Sequence, residues 1–375
     1  MSTREPDPAE LEAALAGLAA HFRDAFTPRE HAGVEIDAQT LRAQLAEPLP
    51  EHGVPLTSVL PELVERVSPG LGATTGGRYL GYVTGGLLPA GAIGQAWAVA
   101  VDQNTGLWAL APAASELELV VLSWLADLLG IPHRGATFTS GAAGANLVCL
   151  AVARHWAGRE QGVDVNAAGV GALAPIGVYG SSELHFTNVK ALRTLGLGAD
   201  CVRHVPVDER FRFSVPDLVA AIERDRADGV RPAIVIAHAA AANTGACDPL
   251  REIAAVCGEH DLWLHVDGAF GAFLRLVPEK AELVDGLDLA DSVAVDGHKW
   301  LNLPNGIAFA FLRDAELHHE TFAGTAAYLT RAQGSGADLH EHGVEASRPW
   351  RGAATWAVLK HLGREGVAAL VARCC

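Results

Sequence analysis

Two regimes of apolar and polar positions divide the chain. Between residues 8 and 25, Leu11, Leu15, Leu18 and Phe22 recur at helical spacing, which predicts an amphipathic helix that needs a partner surface. Residues 36–75 read as another helix and loops, with Pro48, Pro50 and Pro55 as breakers. The stretch "ELELVVLSWLADLLGIP" (116–132) predicts a helix that stops at Gly130, ahead of Pro132. Then the rhythm changes. Short apolar runs at 176–182, 201–207, 233–239, 262–268, 292–297 and 306–312 alternate with helix-like segments such as "SELHFTNVKALRTLG" and "VPDLVAAIERDRADG". Runs without polar alternation suit strands buried on both faces, and their alternation with helices predicts an α/β fold around a mostly parallel sheet. In such sheets ligands bind beyond the carboxyl ends of the strands. Asp267 and Lys299 fall there. The last stretch, "ATWAVLKHLGREGVAALVARCC", reads as a helix without a cap or polar tail, so the chain is expected to stop inside its architecture.

Composition narrows the classes. Half of the 375 residues are apolar, as in a globular chain of one large domain or two. No apolar run reaches the roughly 18 residues that span a bilayer. The N-terminal "MSTREPDPAELEAAL" lacks the basic-then-apolar layout of a secretory signal, so a cytoplasmic location is expected. A formal charge of −16 argues against nucleic acid or an anionic membrane as the main partner and leaves small ligands open. The six cysteines form no CxxC pair and read as structural thiols.

The segment "SVAVDGHKWLNLPNG" (292–306) puts Lys299 where a buried strand ends. Either its ammonium escapes to solvent there, or its amine is desolvated and forms a Schiff base with a carbonyl. "LWLHVDGAFGAF" places Asp267 at the end of a mostly apolar strand, where a carboxylate needs a partner. It either pairs with an arginine or caps a helix, or it faces a pyridine nitrogen, since lysine and acid together are the pairing that pyridoxal phosphate requires. "TFTSGAAGANLVCLAVARHW" supplies a small-residue turn entering a helix, a setting in which backbone N–H groups approach an anion. No GxGxxG follows a first strand, which demotes a dinucleotide site. His318-His319 and His340-Glu341-His342 have no third metal ligand at a recognisable spacing and read as a solvated charged loop.

In this order, "TSGAAGANLVCL", "SSELHFTNVKALRTLGLG", "HVDGAFGAF" and "DGHKWLNLPNG" resemble the group II pyridoxal-phosphate-dependent amino-acid decarboxylases, as do "GRYLGYVTGGLLPAGAIGQ" and "PAASELELVVLSWLADLLGIP" upstream. The resemblance runs from about Pro8 to the last residue. It implies the type I, aspartate-aminotransferase-like fold, with a helical arm over 1–75, a large cofactor domain over 76–345 and the start of a truncated C-terminal domain over 346–375. It implies that Lys299 carries pyridoxal phosphate, Asp267 pairs with its pyridine nitrogen and His185 stacks on its ring. Ala142 and Ala143 would bind the phosphate through backbone N–H groups, with His298 and Asp296 nearby; Ala269 would line the cofactor and Thr84 the substrate. Tyr328, 29 residues after Lys299, would return a proton after carbon dioxide leaves. The implied activity is decarboxylation of an L-amino acid to its amine by a homodimer. The chain departs from the family pattern at Ala143, Gly144, Ala241 and Asn305-Gly306, each change removing a side-chain contact. An aminotransferase of the same fold and a non-catalytic paralogue are the competing expectations.

Overall fold

The computed structural model describes residues 7–27, 32–132, 134–324 and 336–375, and the chain divides into two compact units, 1–86 and 87–375. The first unit holds α1 (Pro8–Ala25), α2 (Ala38–Leu45) and α3 (Leu56–Val67). Asp7 and Asp37 cap α1 and α2 by accepting N–H bonds from Ala9 and from Gln39 and Thr40. Glu10 accepts a bond from the Leu56 N–H (2.7 Å), tying α1 to α3. No residue of these helices is buried, and the Leu11 and Leu15 stripe remains open.

The second unit continues with α4 (Pro89–Val101), α5 (Pro112–Leu129), β1 (Gly135–Thr139), α6 (Ala142–Arg159), α7 (Val165–Ala168), β2 (Ile176–Ser181), α8 (Phe186–Thr194), β3 (Val202–Val205), α9 (Val215–Ala227), β4 (Arg231–His238), α10 (Leu250–His260), β5 (Trp263–Asp267), β6 (Ser292–Asp296), β7 (Ala308–Leu312), α11 (Ala315–Phe322) and α12 (Gly352–Cys374). The seven strands form one sheet in the order β1-β7-β6-β5-β4-β2-β3. All neighbours are parallel except β7, which runs against both β1 and β6. The six expected strands are present within a residue or two. β1 was not anticipated.

The sheet is covered on both faces, which explains the continuous apolar runs. Alternate residues serve different cores: Leu264 and Val266 of β5 join the larger cluster with α5, α10 and α12, while Trp263 joins a second beneath α6, α8 and α11. α5 ends as its sequence predicts, with Gly130 left-handed at φ 67°. His318 of α11 is fully buried and His342 half-buried, which corrects the expectation of a solvated loop. The His318 Nε2–H donates to the His342 carbonyl (2.8 Å), and His319 meets Glu341 at 2.9 Å. No group of three ligands suited to a metal occurs among the described residues.

Candidate active site

Three parallel strands deliver polar side chains to one edge of the sheet, because β4 ends at His238, β5 at Asp267 and β6 at Asp296. His238 and Asp267 are direct register partners, so their side chains stand side by side on one face. Gly297 follows β6 because a Cβ there would lie 2.9 Å from the Ile307 carbonyl oxygen; the tight passage turns the chain so that His298 and Lys299 stand over the strand end. Asp296 Oδ2 lies 3.1 Å from His298 Nε2 and 3.8 Å from Lys299 Nζ, and the lysine side chain is only 17% exposed.

Asp267 is buried and well served by donors. Its Oδ2 accepts bonds from Asn146 Nδ2 (3.0 Å) and Asn188 Nδ2 (2.8 Å), and its Oδ1 accepts one from the Ala269 N–H (3.2 Å). Burial alone would push this carboxyl up. The electrostatic pull of His238 and the Asn188 bond outweigh it and hold the group below the usual range. Among the described residues Asp267 is bonded to two asparagines and a backbone N–H and to no arginine, so no arginine pair is seen among them. His238 lies 3.4 Å from Asp248 through Nδ1, and that carboxylate outweighs burial and raises the proton affinity of the imidazole.

His185 is the N-cap of α8. Its Nδ1 accepts the Thr187 N–H (3.5 Å) and faces Thr187 Oγ1 at 2.7 Å, which leaves a ring proton on Nε2. Burial lowers its pKa, while the charges of Asp267 and Lys299 act on it in opposite directions. Capping and proximity to the two charged groups therefore coexist in one residue.

α6 begins beside this cluster. Its N-cap, Gly141, sits at φ 147°, a conformation that L side chains rarely adopt. No side chain caps this terminus, and the Ala142, Ala143 and Gly144 N–H groups find no acceptor among the described residues. Asn146, one turn along the same helix, reaches Asp267. One helix thus carries both the anion-binding end and, about 6 Å further along its axis at a rise of about 1.5 Å per residue, a side-chain donor to Asp267. Buried polar atoms without partners also gather here: Asp296 Oδ1, His298 Nδ1 and Asn188 Oδ1. The residues fit pyridoxal phosphate.

Of the other sequence expectations, Thr84 belongs to the first unit, where its N–H donates to Gly81 (3.3 Å). Tyr328 lies outside the described residues. Sequence reasoning missed Asn146, Asn188, His238 and His265. The two histidines did carry a signal, as single polar residues inside the apolar runs "AIVIAHA" and "LWLHVDG".

Residues 39–375 match the family model described as the pyridoxal-dependent decarboxylase conserved domain. Among curated proteins, the chain is 31% identical to an aromatic-L-amino-acid decarboxylase of Bacillus atrophaeus, over 88% of this chain and 67% of that protein. It is 29% identical to a 4-hydroxyphenylacetaldehyde synthase of Rhodiola rosea, over 86% of this chain and 66% of the relative. It therefore spans about two thirds of these relatives' length. The crystal structure of mouse CSAD superposes with a TM-score of 0.88 at 28% identity, covering 97% of this chain and 76% of that one. A carboxylate–lysine pair beside an uncapped helix end, on a chain matched by that model over most of its length, makes this protein a member of the pyridoxal-dependent decarboxylase family.

Proposed function

We propose that the protein decarboxylates an L-amino acid to its amine with pyridoxal phosphate. The observation that carries this reading is that Asp267, at the end of β5, is bonded to Asn146 of α6, whose N-terminus is uncapped, while Lys299 follows the neighbouring strand β6 and stands beside Asp296. When bound, the cofactor supplies an electron-accepting ring that takes up the pair left as carbon dioxide departs. Lys299 is the amine that holds it, and Asp267, kept ionised, holds a proton on the pyridine nitrogen. His185 covers a ring face as a neutral imidazole. The N–H groups of Ala142 and Ala143 bind the phosphate through the helix dipole, with His298 beside it. Asp296 orients His298 and Lys299 instead of meeting the phosphate, since two anions would repel. Ala269 acts through the Asp267 carboxylate that its N–H supports. Tyr328 returns the proton to carbon.

The exposed apolar side chains Ile93, Trp97, Trp124 and Trp356 support a homodimer built on α4, α5 and α12. No helix among the described residues is long and apolar enough to cross a membrane, and the acidic charge and free buried thiols support a cytoplasmic location.

The test is to add pyridoxal phosphate to wild type and Lys299→Ala and record the visible band of bound cofactor. Carbon dioxide, amine, aldehyde and keto acid are then measured with a panel of amino acids. Wild type should show the band and release carbon dioxide with amine, and the variant should show neither. Keto acid without carbon dioxide would make it an aminotransferase. Aldehyde as the main product would align it with the Rhodiola rosea relative, and absence of the band in wild type would favour a non-catalytic paralogue.

A further inference from the structure

Behind Asp267 runs a continuous line of buried polar side chains. Trp263 Nε1 donates to Ser292 Oγ (2.9 Å), Ser292 Oγ meets His265 Nδ1 (2.9 Å), His265 Nε2 meets Asn146 Oδ1 (2.9 Å), and Asn146 Nδ2 donates to Asp267 Oδ2 (3.0 Å). Every side chain in this line is buried. His265 and Asp267, two apart on β5, face the side covered by α6, which supplies Asn146.

The direction of the line is set from one end. An ionised carboxylate only accepts, so Asn146 must present its NH2 to Asp267 and its carbonyl oxygen to His265. His265 must then carry a proton on Nε2. Ser292 Oγ already accepts the Trp263 N–H, and it gives its own proton to Nδ1. Burial drives the His265 pKa down to about 4, so the ring is neutral and acts as a one-way coupler.

We propose that His265 is a positioning residue for the cofactor: as the Nε2–H tautomer it locks the Asn146 amide, which keeps Asp267 an acceptor aimed at the pyridine nitrogen. Without that lock the amide can turn over and set its oxygen against the carboxylate, which favours protonation of Asp267. Four other titratable groups act on this neighbourhood, among them the buried Cys149 thiol of α6, which interacts with Ser292 and Asp267 and which burial pushes up. His238 stands beside Asp267 in register, and His185 and Lys299 approach from the ligand side. His238 also acts on His265.

The inference rests on the proposed cofactor reading for its consequence, while the relay itself can be read in the cofactor-free protein. Nitrogen-15 NMR of the histidines should show His265 protonated on Nε2 alone at neutral pH. His265→Leu should weaken pyridoxal phosphate binding by about tenfold to hundredfold, the range expected for losing a hydrogen bond that supports a charge. It should also move the acid limb of the affinity profile up by about one pH unit. His265→Gln, which keeps a donor towards Asn146, should stay within about threefold of wild type. A packing role alone would weaken both variants alike and leave the profile in place. A cationic or Nδ1–H His265 overturns the proposal, as does a folded Leu variant with unchanged affinity and profile. If the Leu variant fails to fold, the wild-type NMR spectrum still decides. If wild type binds no pyridoxal phosphate while His265 shows the Nε2–H tautomer, the functional reading fails and the relay stands.

Discussion

Lowering the pH from neutral to about 5 should destabilise this protein through histidines that are buried without charge. Burial pushes His318 down to about 3, and burial with neighbouring histidines holds His342 at about 4. In the unfolded chain such a ring titrates near 6.5. The unfolded state therefore takes up the proton first. The stability contribution of each ring is intact above about 6.5 and is lost progressively as the pH falls towards its folded value. At about 1.36 kcal/mol per pH unit, the 1.5 units between 6.5 and 5 cost about 2 kcal/mol per histidine. Two such losses are large beside a total stability of about 5–15 kcal/mol. His238 works in the opposite direction: Asp248 raises its proton affinity, so its contribution is present at low pH and is lost as the pH rises. Comparing wild type with His318→Gln cancels that term. The glutamine amide can still donate to the His342 carbonyl, but it takes up no proton. Urea denaturation of both proteins, followed by tryptophan fluorescence at one concentration, should show the variant losing about 2 kcal/mol less than wild type across this window. Parallel pH dependences would refute the claim that His318 is held neutral by burial.

Two further substitutions probe the site and its support. Asp267→Asn turns one oxygen into an NH2 that must confront either Ala269 or the two asparagine donors, so pyridoxal phosphate affinity should fall about tenfold to hundredfold in a spectral titration, and unchanged affinity would remove Asp267 from the cofactor. Arg348→Met leaves Glu118, fully buried and bonded to Arg348 at 3.2 Å, without the charged partner of its Oε2 and held only by the Arg351 and Gly352 N–H bonds to Oε1 and the nearby Arg351 charge. Denaturation should register a loss of about 3–5 kcal/mol that is largely recovered when Glu118→Gln is added, and a double variant as unstable as the single would show that packing, not charge, is responsible.

How much of this was legible in sequence follows from what burial writes into a chain. Strands covered on both faces leave continuous apolar runs, so β2 to β7 could be located together with the residues that end β5 and follow β6. β1, "GATFT", alternates small, hydroxyl and aromatic residues and merges with the turn after it, so it stood out as neither strand nor helix. The antiparallel course of β7 was hidden as well, because a two-sided burial pattern carries no direction. Asn146 and Asn188 sit within helices, where a lone amide looks like any surface residue until the helix is docked. Ala240 takes a left-handed φ of 67° in "AAAANTGA", a conformation its side chain gives no reason to expect. The histidines at 238 and 265 were readable in principle, since a polar ring inside a run that must be dry demands a partner.

The choice of partners around Asp267 bears on why the site suits a cationic ring. An arginine there would neutralise the carboxylate and occupy its lone pairs, leaving little attraction for a pyridinium. Asn146, Asn188 and the Ala269 N–H are neutral donors: they make the ionised state tolerable in a dry environment without cancelling its charge. His238 adds its pull from the adjacent strand, held in place by Asp248. Lys299 meanwhile faces Asp296, so the two opposite charges of the site are not spent on each other. A carboxylate stabilised only by dipoles and by a histidine committed elsewhere stays ionised, buried and short of a cation. A protonated heterocyclic nitrogen supplies that cation, and its proton affinity rises for the same reason that the carboxyl's falls.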